Sequence, residues 1–297
     1  MRYEPADYVF DHANQLCEAS LRENAILYRL TSVSHNTEDT ILNGWGPVGN
    51  RQRGRFHQPD QLTTYCSNNV LVSISEVLYH MYRSLLDQLG KASDTNPEKY
   101  SVILKQMAKR TKALVVFRVK AIEHLVHLDS EAVQYDYRTN ITGTLSVWPD
   151  ATYTLFDSLN VSFRDRRRRG LYYPSARHSR DKCIALFSDQ TERVVKDELH
   201  SLRVDLQLIP EDFDFLSDPE KFSPFRKKVH PTMGYYRVVD ADKFAELEER
   251  GMIHPAGMRT AGVVDFVRRR YSDEAYPADA VTRVPISEIV KEKDASA

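Results

Sequence analysis

Residues 62–90 read LTTYCSNNVLVSISEVLYHMYRSLLDQLG, and the change of period inside this stretch decides the fold class. Leu62–Cys66 is a short run of β-formers and predicts a strand. Ser67, Asn68 and Asn69 then supply N-cap chemistry, side-chain oxygens that accept hydrogen bonds from the free N–H groups of a first helical turn. Beyond them Leu71, Ile74, Leu78, Met81 and Leu85 recur at steps of three and four, the apolar stripe of an amphipathic helix. Gly90 is the expected C-cap.

Working outward, Asp7–Leu21 predicts a helix, with Phe10, Ala13, Leu16 and Cys17 at helical spacing, and Ala25–Ser32 a strand. Asn36–Gln61 holds Gly44, Gly46, Gly49, Gly54, Pro47 and Pro59 and keeps no periodicity. It reads as a long loop, and such loops inside a compact domain are usually functional or disordered. Downstream, Pro97–Arg110 is helix-like and Ala113–Val119 is a buried strand. A polar, linker-like region leads to the strands Gly170–Tyr173 and Cys183–Phe187, joined by a turn around Pro174–Lys182. His200–Leu208 alternates apolar and polar residues and predicts a half-buried strand. From Pro210 the chain is charged, with one expected helix, Asp242–Arg250, and a frayed tail at Lys291–Ala297.

Strands and helices follow one another without a regular βαβ alternation. That favours an α+β fold with mainly antiparallel strands and flanking helices. The expected division is an N-terminal helical segment at 1–21, a central domain at 22–209 and a C-terminal extension at 210–297.

The 297 residues, 41% hydrophobic and 28% charged, suffice for one large core. With 41 Lys+Arg against 42 Asp+Glu, no global field recruits nucleic acid or an anionic membrane. Cys17, Cys66 and Cys183 have no C-x-x-C pairing and no zinc-ligand spacing, so they read as reduced thiols. Met1–Phe10 lacks a signal peptide's apolar run, and no stretch reaches the length of a bilayer span. A cytoplasmic protein without a metal is the expectation.

The residues that could carry chemistry are individually ambiguous. Glu76 lies five positions from Leu71, almost opposite the apolar stripe, and on helix geometry alone reads as a solvated surface charge. Val72 and Tyr79 near the same face, with the glycine-rich loop before the helix, allow that face to be one wall of a cleft. Arg29, between apolar neighbours in a strand, must meet an anion or face water. Arg55 sits beside a glycine, where a guanidinium approaches a phosphate in bidentate fashion. Tyr65 ends a strand before a helix N-terminus and reads as core or as an aromatic platform. Ser175 lacks a G-x-S-x-G elbow, so a serine nucleophile is weakly supported. The basic run Arg166–Arg169 reads as a solvated, mobile turn. No Walker A, Rossmann or H-E-x-x-H pattern occurs.

In order, these signals resemble one family. Leu27-Tyr28-Arg29, Gly54-Arg55-Phe56, Tyr65-Cys66-Ser67 running into Ile74-Ser75-Glu76-Val77-Leu78-Tyr79-His80, and Gly170-Leu171-Tyr172-Tyr173-Pro174-Ser175-Ala176-Arg177 resemble the motifs of a RES domain. The family takes its name from an arginine, a glutamate and a serine, matched here to Arg29, Glu76 and Ser175. Arg53-Gly54-Arg55-Phe56-His57 departs from the family's Gly-Gly-Arg-Trp-Asn: one glycine and the asparagine are lost, and Phe56 keeps an aromatic. The resemblance covers about Arg22 to Asp189.

The resemblance implies a fold similar to ADP-ribosyltransferase toxins and an NAD⁺-consuming enzyme, often the toxin of a toxin–antitoxin pair. It implies catalytic roles for Glu76, Arg29, Tyr65 and Ser175, and NAD⁺-binding roles for Arg55, Phe56, Tyr28 and His57. NAD⁺ is the substrate, and no metal is required because its pyridinium leaving group is already cationic. Glu76 would stabilise an oxocarbenium-like transition state. Arg29 and Arg55 would clamp phosphate oxygens, Tyr65 would stack on nicotinamide and Ser175 would hydrogen-bond the ribose or carboxamide. The implied partners are NAD⁺ and an inhibitory protein such as a helix-turn-helix antitoxin, with an oligomer also possible. A glycohydrolase or phosphorylase, a protein ADP-ribosyltransferase and a non-catalytic NAD⁺-binding module are all compatible with the sequence.

Overall fold

Strands outnumber helices among the described residues, and many pair with partners distant in sequence. The structure, a computed structural model, describes residues 18–35, 56–58, 61–91, 102, 109–128, 163–165, 167–175, 182–187, 195–196, 199–208, 233–253, 258–265 and 290–292. Its strands are β1 (Glu18–Leu21), β2 (Ile26–Ser32), β3 (Thr63–Ser67), β4 (Lys109–Arg118), β5 (Ile122–His127) and β6 (Gly170–Pro174). They continue with β7 (Lys182–Phe187), β8 (His200–Gln207), β9 (Met233–Val238), β10 (Ala261–Asp265) and β11 (Val290–Glu292). The two long helices among the described residues are α1 (Val70–Lys91) and α2 (Ala241–Glu249).

All the strands join one sheet in the order β10-β9-β8-β4-β2-β3-β7-β6-β5-β1-β11. Every pairing is antiparallel except β5 with β6. This mixed sheet with few helices is α+β, as the irregular order of elements predicts. At its middle β2 and β3 meet through a single register pair, Tyr28↔Ser67, whereas β2 and β4 pair from Ile26↔Arg118 to Ser32↔Lys112.

The sheet has a buried layer on each face. Leu71, Ile74, Leu78, Met81 and Leu85 of α1 pack with Tyr28, Leu114, Leu202, Tyr236, Phe244 and Leu247, so the predicted stripe is the core face of the helix. The other layer joins Leu27, Cys66, Val115, Phe117, Leu125, Tyr172, Ile184 and Leu186. Asn69 caps α1, its Oδ1 accepting the Leu71 N–H at 2.9 Å. The alternation of His200–Gln207 is observed as strictly alternating burial of β8.

Several expectations are corrected. Glu18–Leu21 is a strand between β5 and β11, so the end of the predicted helix Asp7–Leu21 is extended; its earlier part lies outside the described residues. The linker-like region after Val119 contains β5. Glu123 and His124 break its alternation, and His124 takes a left-handed φ of 63°. Helix α1 runs past Gly90 to Lys91, so Gly90 is not its C-cap. Residues beyond 210 supply β9, β10 and β11 in addition to the expected helix, and the sheet ends in these strands on both edges. The helix-like reading of Pro97–Arg110 falls largely outside the described residues, and Lys109 and Arg110 begin β4.

Gly170 shows how closely β6 and β7 are fitted. A Cβ there would meet the Ala185 carbonyl oxygen on the neighbouring strand. Gly170→Ala is therefore expected to destabilise the protein by at least about 1–3 kcal/mol, read from its urea midpoint. An unchanged midpoint would show that the two strands separate at little cost.

His127 on β5 gives a second handle. Its burial, aided by the charge of Lys182, pulls the imidazole pKa from 6.5 down to about 4, and its ring lies 4.9 Å from that of Tyr172. The unfolded chain therefore takes up a proton below pH 6.5 that the native protein refuses until about pH 4. This contribution leaves stability intact above pH 6.5 and erodes it as the pH falls towards 4. Between pH 7 and pH 5 the loss is expected to be about 2 kcal/mol, and His127→Leu should flatten that part of the profile. An unaltered slope in the variant would assign the pH dependence to other groups.

Candidate functional site

The turn from β3 into α1 is fixed by serine and asparagine side chains. Ser67 Oγ donates to the Asn69 carbonyl at 2.6 Å and lies 2.8 Å from Ser73 Oγ. Ser73 Oγ in turn donates to the Tyr28 carbonyl at 3.0 Å, tying the first turn of the helix to β2. With its start anchored and its apolar stripe buried, α1 has a fixed rotation about its axis. Glu76 is thereby turned away from the core face, yet it is half-buried rather than solvated. Its Oε1 accepts a hydrogen bond from Ser175 Oγ at 2.9 Å, across 99 residues of sequence. Ser175 follows β6 and is fully buried. As placed, the serine orients the glutamate.

Beside β6 lies an aromatic group built on Tyr65. The Phe56 N–H donates to Tyr65 Oη at 2.9 Å, and His57 Nδ1 lies 3.0 Å from the same oxygen. Tyr65 Oη thus accepts from the Phe56 backbone and shares a hydrogen bond with the His57 imidazole. Phe56 is 1% exposed and meets Tyr173 edge-on, with ring centroids 4.8 Å apart. Phe56, which the resemblance implies as a dinucleotide contact, is in the structure a buried prop between Tyr65 and Tyr173. Tyr65 itself remains partly exposed.

Tyr28 is likewise packed inside the protein. It lies in the core under α1, and its hydroxyl donates to the Met252 carbonyl at 3.0 Å. Alternation along β2 separates it from Arg29: Ile26, Tyr28 and Leu30 pack on the α1 side, while Leu27 belongs to the opposite layer. Arg29 therefore does not share a sheet face with Glu76. Its Nη1 is buried with no hydrogen-bond partner among the described residues. Burial lowers the guanidinium's pKa, partly offset by Cys66 and Tyr65. Burial also raises the Cys66 thiol to about 12, so this cysteine stays a neutral core filler. Arg55 lies outside the described residues.

Three contributors escaped the sequence reading. Tyr173 backs Phe56. Asn68 is 5% exposed, and its Oδ1 is buried without a hydrogen-bond partner among the described residues, a state that costs about 1–3 kcal/mol. Arg164, also buried, stacks 4.2 Å over the Phe187 ring and donates to Thr63 Oγ1 at 2.6 Å, bracing the start of β3. The basic run that follows is not a wholly solvated turn, because Arg168 is buried while Arg167 and Arg169 are exposed. Backbone bonds from Arg168 N–H to Phe163 and from Arg169 N–H to His124 hold it in place.

No helix among the described residues is long and apolar enough to cross a membrane. No match appears among curated proteins. Among solved structures, the chain is similar to a chain of the M. tuberculosis MbcT–MbcA toxin–antitoxin complex, at 12% identity and a TM-score of 0.45, over 67% of this chain and 93% of that one. The RES domain family model matches residues 26–209, a span that contains the Glu76–Ser175 pair, the Tyr65 group and Arg29. With that match over more than half its length, the chain belongs to the RES domain family.

Proposed function

We propose that this protein cleaves NAD⁺ at the nicotinamide–ribose bond, with Glu76 as the catalytic carboxylate and Ser175 as its positioning residue. The observation that carries this reading is the 2.9 Å hydrogen bond between them, which joins two family motifs at one point in space. In the reaction the bond from ribose C1′ to the pyridinium nitrogen breaks, and its electron pair neutralises the ring. Positive charge builds on the ribose, and an anionic carboxylate beside it lowers the barrier. The incoming oxygen bonds to C1′; water then loses a proton to solvent, whereas phosphate attacks through an oxygen that is already anionic. Tyr65 offers an aromatic face to nicotinamide, with Phe56 and His57 fixing its position.

Arg29 is assigned the charge that a pyrophosphate requires, because its buried Nη1 has no hydrogen-bond partner among the described residues and calls for an anion. The single register pair between β2 and β3 favours a dinucleotide lying along that junction, reaching Arg29 on one side and the Glu76 group on the other. Arg55 is assigned a second phosphate contact. The fold is assigned to the ADP-ribosyltransferase-like class, with the NAD⁺-cleaving part at 22–209 and an extension at 210–297. A cytoplasmic toxin held in check by an antitoxin that covers Glu76 is the biological role most consistent with the family.

The acceptor is tested by mass analysis of NAD⁺ turnover with and without phosphate. ADP-ribose in both conditions indicates hydrolysis, and a phosphorylated ADP-ribose formed only with phosphate indicates phosphorolysis. Intact NAD⁺ in both would refute the proposal. Ser175→Ala is expected to lower kcat about tenfold with KM little changed, because the serine acts through Glu76. A raised KM with kcat intact would instead make Ser175 a direct ligand contact.

A further inference from the structure

Asn68 stands between two residues whose side chains are consumed inside the protein, Ser67 and Asn69, and its own side chain is not. Among the described residues its Oδ1 is an acceptor without a donor, and Arg29 Nη1, on the adjoining strand, is a donor without an acceptor. The register pair Tyr28↔Ser67 relates them, since each follows one member of that pair. Arg29 and Asn68 each adjoin that one pair, Asn68 just past the end of β3, which brings their backbones close together. The two groups nevertheless do not satisfy each other.

A buried acceptor and a buried donor, both unpaired and close by register, define the chemistry of what fits between them. The fragment must offer an anionic oxygen to the guanidinium and a hydroxyl to the amide oxygen, a few bonds apart. A phosphorylated ribose has this arrangement. We infer that Asn68 is a ligand-binding residue whose Oδ1 accepts a hydrogen bond from a ribose hydroxyl, while Arg29 pairs with the neighbouring phosphate. The inference rests on the NAD⁺ reading only in that NAD⁺ and ADP-ribose carry this fragment. Asn68 stands outside the arginine, glutamate and serine that name the family.

The test uses the full chain, with ADP-ribose titrated calorimetrically and thermal melts recorded without ligand. Asn68→Leu is expected to weaken ADP-ribose binding at least tenfold, while the melting temperature stays level or rises by roughly 2–4 °C, because an unpaired buried oxygen is removed. Asn68→Asp keeps the shape and gives Arg29 a carboxylate, so it should melt higher still and bind ADP-ribose more weakly than the wild type. If Asn68→Leu fails to fold, the isosteric aspartate decides by the same two readings. Unchanged ADP-ribose affinity, or a lower melting temperature in the aspartate variant, would overturn the inference. Wild-type protein that binds ADP-ribose through Asn68 but releases no nicotinamide would leave the inference standing and remove the cleavage reading. Wild-type protein that does not bind ADP-ribose would overturn the inference whatever its turnover of NAD⁺.

Discussion

Replacing Glu76 by glutamine is expected to lower nicotinamide release from NAD⁺ by about a thousandfold at saturating substrate, with KM little changed. The substitution keeps the oxygen that accepts from Ser175 Oγ, so the local geometry is retained and only the negative charge is lost. A carboxylate facing developing positive charge acts in the transition state more than in the ground state, which puts the effect in kcat. Removing one preorganised electrostatic group of this kind costs about 10²–10³ in rate. Glu76 is half-buried, so the same change should move the melting temperature little. A variant that melts normally and turns over NAD⁺ like the wild type would remove Glu76 from the reaction.

The second large effect concerns Phe56. Phe56→Ala is expected to destabilise the protein by about 3–5 kcal/mol, the usual cost of emptying a buried phenylalanine site. The melting temperature should fall by about 10 °C. The cause is specific: Phe56 is 1% exposed, lies edge-on to Tyr173 and stacks at 6.5 Å from Tyr65. Phe56→Leu keeps most of the volume and should lose less than half as much. A ligand-contact role predicts the reverse pattern for Phe56→Ala, a raised KM for NAD⁺ with normal melting. Thermal melts beside steady-state kinetics separate the two.

The elements whose burial is encoded in local periodicity were legible in the sequence. The stripe Leu71–Leu85 and the alternation of His200–Gln207 report directly which side chains leave water, and both are core in the structure. β1 was misread because Glu18–Leu21 is too short to show a period and takes its conformation from partners at 122–126 and 290–292. β5 was missed because Glu123 and His124 interrupt its apolar run. β9 and β10 lie towards the sheet edge, where polar residues such as Arg237 sit on the exposed face and dilute the signal.

The site was legible in a different way. Helix geometry placed Glu76 on a polar face, and only the family resemblance connected it with Ser175; a contact between residues 99 apart leaves no local trace. At Phe56 and Tyr28 the resemblance implies a ligand contact where the structure has a packed side chain, since an aromatic residue in a ligand motif serves equally well as a buried prop or a tether. His57, where the family has asparagine, keeps a hydrogen bond to Tyr65 and so preserves the position of the aromatic platform. Asn68 was invisible as more than a capping residue, because its unpaired state depends on how Ser67 and Asn69 are used.

The most direct measurement is the time course of nicotinamide release when purified wild-type protein is mixed with NAD⁺. The expected result is stoichiometric loss of NAD⁺ with one free nicotinamide for each molecule consumed, slowed about a thousandfold in Glu76→Gln. NAD⁺ recovered intact after prolonged incubation with folded wild-type protein, in the presence and absence of phosphate, would contradict cleavage at Glu76.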